Sequence, residues 1–363
     1  MLHFRDAELA DKLGFSENIS EKFMNYEGLE FGRYHRSYAF NMPYVDKDVS
    51  TKFDYPENDE LAIVISIFEP QTEVNRADRH IHAKSAVYAA LSLIENTDVR
   101  ETGTKIYFVL NEGISDIPLA YLRAAKVPDD NILYAPMTRS SRLEQSVYGT
   151  LFKVESLLHE RLREKERIMF IDSDVYFLEN LKVTKTLIEK WDTDEIPLMI
   201  SESNAVPIDS YPWGVDLAYY EMAGFTTEFY QDLSSYLGTS VSEVKKFTSR
   251  EHKDDILNLI GWATGISGAL ARSPDFRSHL QAAYEKNLFI NDESFFWSWF
   301  YMHHTLYLDF PFGIQRRYTI EHPSIYHIYI DYDDAQNAEN QPGMDQYLKW
   351  RADFEKRMTA LWK

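Results

Sequence analysis

The sequence contains no cysteine among its 363 residues. Disulfides, thiolate nucleophiles and zinc sites built from cysteine are therefore excluded. The sequence also lacks a long apolar segment, since the longest clean run, residues 61–68, is too short to cross a bilayer. Basic residues are scarce: 38 Lys and Arg face 58 Asp and Glu, which gives a net charge of −20. A field of that sign repels nucleic acid and anionic membranes, so neither is an expected partner.

No signal peptide is apparent, because residues 1–20 alternate charged and apolar groups. Together with the absence of cysteine, this pattern predicts a cytoplasmic protein without an integral membrane segment. The apolar content of 44% is enough for a large core. We expect an N-terminal extension over residues 1–58 that packs on a main domain over 59–335, followed by a helical extension over 336–363.

Segments of strand and helix character alternate from residue 61 to residue 201. The predicted strands are 61–68, 105–110, 131–135, 167–171 and 197–201, and the predicted helices are 81–94, 119–125 and 145–163. This alternation predicts a doubly wound α/β fold with a mostly parallel central sheet flanked by helices. In such sheets ligands bind beyond the carboxyl ends of the strands.

The most informative motif is Asp172-Ser173-Asp174, which directly follows the apolar strand 167–171. Two carboxylates separated by one small residue, at the tip of a buried strand, can hold a divalent metal toward a cleft. Hard oxygen ligands suit Mg²⁺ or Mn²⁺, and these ions are commonly shared with a diphosphate. The triplet therefore indicates an enzyme whose leaving group is a nucleoside diphosphate.

Three other Asp-x-Asp pairs occur in this acidic chain, namely Asp46/Asp48, Asp192/Asp194 and Asp331/Asp333. The first lies in a polar stretch, and the second is typical of a solvated turn before Pro197. The third follows the apolar run 328–330 and is the serious alternative. The triplet differs from all three because it follows a strand and leads at once into a second apolar segment, residues 175–178.

The order of Lys153, the strand 167–171 and the triplet resembles GT-A glycosyltransferases, most closely the glycogenin and galactosyltransferase-like group. The resemblance implies a GT-A-like (Rossmann-like) fold that binds a nucleotide sugar. In that group a lysine on the helix before the triplet reaches the donor, and this is the role implied for Lys153. The alternative for Lys153 is an ordinary surface lysine on an amphipathic helix.

Two later segments extend the resemblance. Residues 263–270 resemble the family's small-residue strand, which implies that Gly265 and Gly268 let the donor sugar lie against the backbone. The alternative is a strand with close helix packing. Asp292 and Glu293 precede an aromatic helix, residues 295–301, where the family has an Asp-Gln pair that helps place the transferred sugar and the acceptor. A helix cap is the alternative role there.

The segment 324–329 resembles the C-terminal strand whose histidine completes the metal site. The resemblance implies His327 as the third ligand beside Asp172 and Asp174, with His322 as the alternative. Neutral imidazole suits Mn²⁺ better than Mg²⁺, so Mn²⁺ is the expected ion and Mg²⁺ the second choice. The Gly and Lys-Pro-Trp that usually follow this histidine in the family are absent here.

Positions at the strand ends predict where the nucleotide binds. The expected contacts are Phe68, Glu69, Arg76, Arg79 and Asn111, with Ser173 from the triplet.

The resemblance implies transfer of a hexose from a nucleoside diphosphate sugar, with a UDP-sugar favoured, to a hydroxyl of a glycan or glycoconjugate. It favours retention at the anomeric carbon and makes residues 59–335 the catalytic domain, with 203–258 as an insertion on the acceptor side. One alternative is a sugar nucleotidyltransferase, which would usually carry a glycine-rich loop after the first strand. Residues 69–79 contain no glycine. The other alternative is a non-catalytic carbohydrate-binding protein.

Overall fold

The computed structural model describes most of the chain between residues 52 and 327. The described ranges are 52–68, 81–114, 116–136, 150–177, 180–201, 227–248, 262–286, 288, 292–303, 306–310, 315–316 and 325–327. The predicted extensions, except for residues 52–58, lie outside these ranges, as do residues 203–226 and 249–258 of the predicted insertion.

Ten strands occur in the described ranges. They are β1 Leu61–Ile67, β2 Lys105–Asn111, β3 Ile132–Ala135, β4 Arg167–Ile171, β5 Val175–Phe177, β6 Leu198–Ile200, β7 Ala263–Ser267, β8 Tyr307–Asp309, β9 Gln315–Arg316 and β10 Ile325–His327. Seven of them form the central sheet in the order β3-β2-β1-β4-β7-β6-β8. Strand β7 is antiparallel to β4 and β6, and the other six strands share one direction. The predicted mostly parallel α/β sheet is confirmed.

The same ranges contain ten α-helices. They are α1 Ile81–Asn96, α2 Val99–Thr102, α3 Asp116–Ala124, α4 Thr150–Leu157, α5 Val183–Lys190, α6 Thr227–Leu237, α7 Val241–Thr248, α8 Gly268–Arg272, α9 Pro274–Glu285 and α10 Asp292–His303. Short 3₁₀ turns cover Asp129–Asn131 and Glu160–Leu162.

Helices cover both faces of the sheet, as the alternating pattern predicts. Strand β1 is buried along its whole length because alternate residues serve opposite faces. Leu61 and Ile63 belong to the core cluster that contains the apolar side of α1. Ala62 and Val64 belong to the second cluster, which contains residues of α4, α9 and α10. We call the second side the α4 face.

A second, three-stranded sheet begins immediately after the triplet. Its order is β5-β10-β9, and β5 pairs antiparallel with β10. The chain therefore leaves β4, turns through residues 172–174 and enters this small sheet without a longer loop. The triplet lies at the junction of the two sheets.

Two predicted elements differ from the structure. The helix expected over 145–163 is described from Thr150 and ends at Leu157, before a 3₁₀ turn. The strand expected over 263–270 ends at Ser267, and a helix follows. The Ser267 hydroxyl caps that helix by accepting the Leu270 backbone N–H at 3.1 Å, so it favours a helix start at this point.

Candidate active site at the carboxyl edge of the central sheet

The triplet is fixed by backbone hydrogen bonds on both sides. The Asp172 N–H donates to the Trp262 carbonyl at 2.8 Å, just before β7, and the Val175 N–H donates to the Asp172 carbonyl at 3.3 Å. Ser173 and Asp174 are each 9% exposed. The chain therefore holds two carboxylates in a tight turn at the carboxyl edge, where the fold is expected to bind ligands.

Three polar residues of α1 anchor the triplet and the strand after it. The Ser85 hydroxyl donates to the Ser173 carbonyl at 2.5 Å. The Ser92 hydroxyl accepts the Phe177 N–H at 3.1 Å, and the Asn96 amide donates to the Phe177 carbonyl at 2.8 Å. The sequence interpretation missed these supports. Their signal is a set of polar residues, spaced by seven and then four positions, within a helix that is rich in alanine and leucine.

Lys153 of α4 brings two predicted carboxylates together. Its Nζ lies 2.6 Å from Asp172 Oδ1 and 3.5 Å from Asp292 Oδ2, and 5.2 Å from the Phe170 ring centroid. The exposed side-chain fractions are 19% for Lys153, 15% for Asp172 and 7% for Asp292. Ion pairs that are this sheltered from water interact more strongly than surface pairs. Asp174, two residues after Asp172, brings a third carboxylate to this edge, and carboxylate oxygens are ligands that suit Mg²⁺ or Mn²⁺.

Asp292 is the first residue of α10, and a buried hydrogen-bonded chain fixes that helix. The Ser298 hydroxyl donates to the Phe295 carbonyl at 2.7 Å, so the His279 Nε2–H donates to Ser298 Oγ at 2.6 Å. The Tyr236 hydroxyl then donates to His279 Nδ1 at 2.7 Å. Burial lowers the pKa of His279 to about 4 and keeps the ring neutral. Helices α6, α9 and α10 are joined through this one imidazole.

Strand pairing brings the predicted third ligand next to the triplet. His327 of β10 is the Cα partner of Val175, the residue that follows Asp174. Two carboxylates and an imidazole form a donor set that suits Mn²⁺. Among the residues whose side chains are described, no group of three potential ligands is close enough to hold a metal. The His327 side chain lies outside that description, so its ligand role stays a prediction.

The strand ends beside the triplet carry the next predicted contacts. The β1–β2 register pairs Ile67 with Leu110, and one further step brings Phe68 beside Asn111. Both side chains are buried, Phe68 in the core cluster of the α4 face. Asn111 and Asp172 are two strand spacings of about 4.8 Å apart across β1 and two residues apart along the strand direction, so they are separated by about 12 Å. The nucleotide-binding role of Phe68 and Asn111 stays a prediction.

Ser66 is a second residue that the sequence interpretation missed. It shares the α4 face with Val64, and the β1–β4 register, continued by two residues, brings it beside Asp172. Its hydroxyl is buried and has no hydrogen-bond partner in the part of the chain that is described. The sequence feature that could have identified it is that Ser66 carries the one hydroxyl in the apolar run 61–68.

The two predicted glycine contacts are not brought to this edge. A Cβ on Gly265 would lie 2.5 Å from the Trp191 ring, and one on Gly268 would lie 2.0 Å from the Lys165 carbonyl oxygen. Gly268 follows the residue that pairs with Arg167, at the start of β4. It is therefore level with Glu166, six residue steps or about 20 Å from Asp172 along the strand. Close packing accounts for both glycines, and neither enters the site proposed below.

The remaining predicted residues are outside what the structure describes. They are Glu69, Arg76, Arg79 and His322, together with the side chain of Glu293, whose backbone is in the first turn of α10. Two of the rival Asp-x-Asp pairs, at 46/48 and 331/333, also lie outside. The third rival is a turn, as expected, since the Asp194 N–H donates to Asp192 Oδ1 at 3.1 Å.

None of the helices in the described part of the chain is long and apolar enough to cross a membrane.

No family model matches the sequence, and no curated protein matches it. Among solved structures, the chain is similar to mouse xyloside xylosyltransferase 1, with 12% identity and a TM-score of 0.44 over 74% of this chain and 97% of that one. It is similar to the galactosyltransferase LgtC, with 13% identity and a TM-score of 0.39 over 80% and 95%. It is also similar to the mannosyltransferase Ktr4p of S. cerevisiae, with 11% identity and a TM-score of 0.31 over 80% and 78%. At these values the likeness is one of fold, and it carries no argument about donor, metal or acceptor.

Proposed function

We propose that this protein is a metal-dependent glycosyltransferase that moves a hexose from a nucleoside diphosphate sugar, preferably a UDP-sugar, to a hydroxyl of a glycan or glycoconjugate. The observation that carries the proposal is the convergence of Lys153, Asp172 and Asp292 at the carboxyl edge. These residues come from α4, the end of β4 and the start of α10. The resemblance to GT-A glycosyltransferases implied a place for each of them at a nucleotide-sugar site.

The chemistry of the donor set supports a divalent ion at this edge. Asp172, Asp174 and His327 would hold Mn²⁺ or Mg²⁺. The ion would supply neutralising charge for the departing diphosphate.

The chain's own groups support the other requirements of the reaction. The Lys153 ammonium lies 2.6 Å from Asp172 Oδ1, so a diphosphate shared with the triplet would be close to it. It would bind the phosphate charge that grows as the glycosidic bond breaks. Phe68 and Asn111 lie at neighbouring strand ends where the nucleoside would bind, and Glu69, Arg76 and Arg79 are predicted to complete that pocket.

Asp292 is proposed to position the transferred sugar. Its carboxylate is buried at the N-terminus of α10 and contacts Lys153, so its place is fixed relative to the triplet. In a retaining transfer the departing diphosphate can accept the acceptor proton, and no separate base is needed. In an inverting transfer Asp292 or Glu293 would be the base. Anomeric analysis of the product by NMR distinguishes the two, and an inverted product would contradict retention.

The proposal is tested by incubating the protein with Mn²⁺ and a panel of nucleotide sugars. Slow hydrolysis of one donor is the expected result, together with faster release of nucleoside diphosphate when the right acceptor hydroxyl is present. The same panel should be run with sugar phosphates and nucleoside triphosphates. Sugar-nucleotide synthesis would identify a nucleotidyltransferase instead, and carbohydrate binding without turnover of any donor would favour a binding protein.

A further inference from the structure

The Lys153 ammonium forms an ion pair with Asp172, one of the two triplet carboxylates proposed to bind the metal. Its Nζ lies 2.6 Å from Asp172 Oδ1, which is close contact for an ion pair. A divalent ion coordinated by a carboxylate oxygen needs a distance of about 2.1 Å. An ammonium and a divalent ion on the same carboxylate repel each other, so each weakens binding of the other. The geometry therefore sets the lysine and the metal in competition.

Lys153 has a second place to bind. Asp292 Oδ2 is 3.5 Å from the same nitrogen, and the Phe170 ring centroid is 5.2 Å away. A flexible four-carbon side chain with a compact charge can move between these groups and a neighbouring phosphate without backbone movement. Loss of the Asp172 contact would therefore not leave the ammonium without a negative neighbour.

From these contacts we infer that Lys153 is an internal counter-ion of the metal site. It opposes binding of the divalent ion when no nucleotide is present, and it supports binding of the nucleoside diphosphate when the ion is present. This inference rests on the proposed function, because it assumes that the triplet binds a metal shared with a diphosphate. Its consequence is that metal and donor bind strongly together and weakly apart, since the diphosphate accepts the lysine that the metal displaces.

The inference predicts opposite effects on two ligands from one substitution. Lys153→Met removes the competing charge, so Mn²⁺ without nucleotide should bind roughly tenfold more tightly than to the wild type. The same variant lacks the phosphate contact, so UDP in the presence of Mn²⁺ should bind roughly tenfold more weakly. Lys153→Arg keeps the charge and should keep Mn²⁺ binding as weak as in the wild type.

The experiment has two parts, both on the full chain. In the first, Mn²⁺ is titrated without nucleotide, and electron paramagnetic resonance measures the free Mn²⁺. In the second, UDP binding is measured by calorimetric titration in saturating Mn²⁺. Lys185→Met is the matched control, because it removes one charge from an exposed position on α5 and should change neither affinity. Lys153→Gln, which is neutral and keeps a polar end, repeats the test if the methionine variant is unstable.

Mn²⁺ binding that is unchanged or weaker in both neutral variants, with UDP binding to the wild type intact, would overturn the inference and leave the proposed function standing. A loss of both ligands in the neutral variants would show that Lys153 is a structural clamp, which also overturns it. A wild type that binds neither Mn²⁺ nor UDP would overturn the proposed function itself, and the inference with it.

Discussion

Lys153 and Lys165 form ion pairs near opposite ends of strand β4, and we assign them different roles. Lys153 contacts Asp172 just beyond the carboxyl end of β4, and Lys165 precedes its amino end. Lys165 Nζ is 2.6 Å from Glu57 Oε1, 3.0 Å from Asp59 Oδ1 and 2.5 Å from the Asn58 carbonyl oxygen. Both lysines are sheltered and paired with carboxylates, so charge and burial alone do not separate structure from function.

The two lysines differ in the position and the role of the groups that they contact. Lys165 is 6% exposed and ties the segment before β1 to the base of the sheet, where the Tyr107 hydroxyl also donates to Glu57. Burial by itself would raise the pKa of Glu57, but the hydrogen bonds from Lys165 and Tyr107 outweigh it and lower the pKa. At this amino edge Lys165 therefore has a structural role, because its partners all lie in the single segment before β1. At the carboxyl edge one lysine contacts carboxylates from two separate elements, the end of β4 and the start of α10, where ligands are expected to bind.

The largest expected effect is on turnover at the carboxyl edge. Asp172→Asn removes one metal-binding carboxylate, and donor turnover should fall roughly 1000-fold because the departing diphosphate loses charge stabilisation. Steady-state assays on the active donor measure the fall, and thermal unfolding should show that the variant is folded. Asp194→Asn is the control with the same chemistry in an exposed turn. Equal losses in the two variants would contradict a special role for the triplet.

The reverse pattern is expected at the amino edge. Lys165→Met leaves Glu57 and the Asn58 carbonyl without their buried cation, so the free energy of unfolding should fall by about 3 kcal/mol. Urea denaturation measures the loss. UDP affinity of the folded fraction should stay within about twofold of wild type. A large loss of affinity with little loss of stability would show that the two edges are not separate in function.

The buried imidazole beneath α10 gives the next largest effect, through pH. The pKa of His279 is about 4 in the folded protein against an ordinary 6.5, so the unfolded state binds the extra proton first as pH falls. The stability contribution is complete above pH 6.5 and is lost toward pH 4. The protein should be about 2 kcal/mol less stable at pH 5 than at pH 8. Urea denaturation at several pH values measures this change.

His279→Gln keeps hydrogen-bonding groups between Tyr236 and Ser298 without a group that titrates. Its stability should vary less between pH 8 and pH 5. The Glu57 contribution is lost at lower pH, below the ordinary carboxyl value of 4.5, because the folded pKa of Glu57 is lowered. An unchanged pH profile in the glutamine variant would place the acid sensitivity elsewhere.

The smallest expected effect is on stability at the carboxyl edge. Lys153→Met should lower the free energy of unfolding by about 1 kcal/mol, less than Lys165→Met, because Lys153 is 19% exposed against 6% for Lys165 and the helix dipole still stabilises Asp292 at the first position of α10. Urea denaturation of both variants gives the comparison. A larger loss from Lys153→Met than from Lys165→Met would reverse the assignment of function to one edge and structure to the other.

Local patterns were enough to predict the strand before the triplet and the helix that carries Lys153. Strand β4 has the predicted bounds because five consecutive residues without a helical period fit a strand buried on both faces. The change from strand to helix at Ser267 was not predicted, because small residues fit either structure and the capping bond decides between them. The supports from α1 could not be predicted, since the Ser85 bond to Ser173 joins residues 88 apart.

The central claim is that the triplet at the carboxyl edge binds a nucleoside diphosphate through a metal. Calorimetric titration of UDP into the wild type, with and without Mn²⁺, tests it most directly when Asp174→Asn and Asp194→Asn are measured beside it. The account predicts binding that requires Mn²⁺, is lost by roughly 100-fold or more in Asp174→Asn and is retained in Asp194→Asn. UDP binding that ignores Mn²⁺ or is unchanged in Asp174→Asn would contradict it, as would no binding at all.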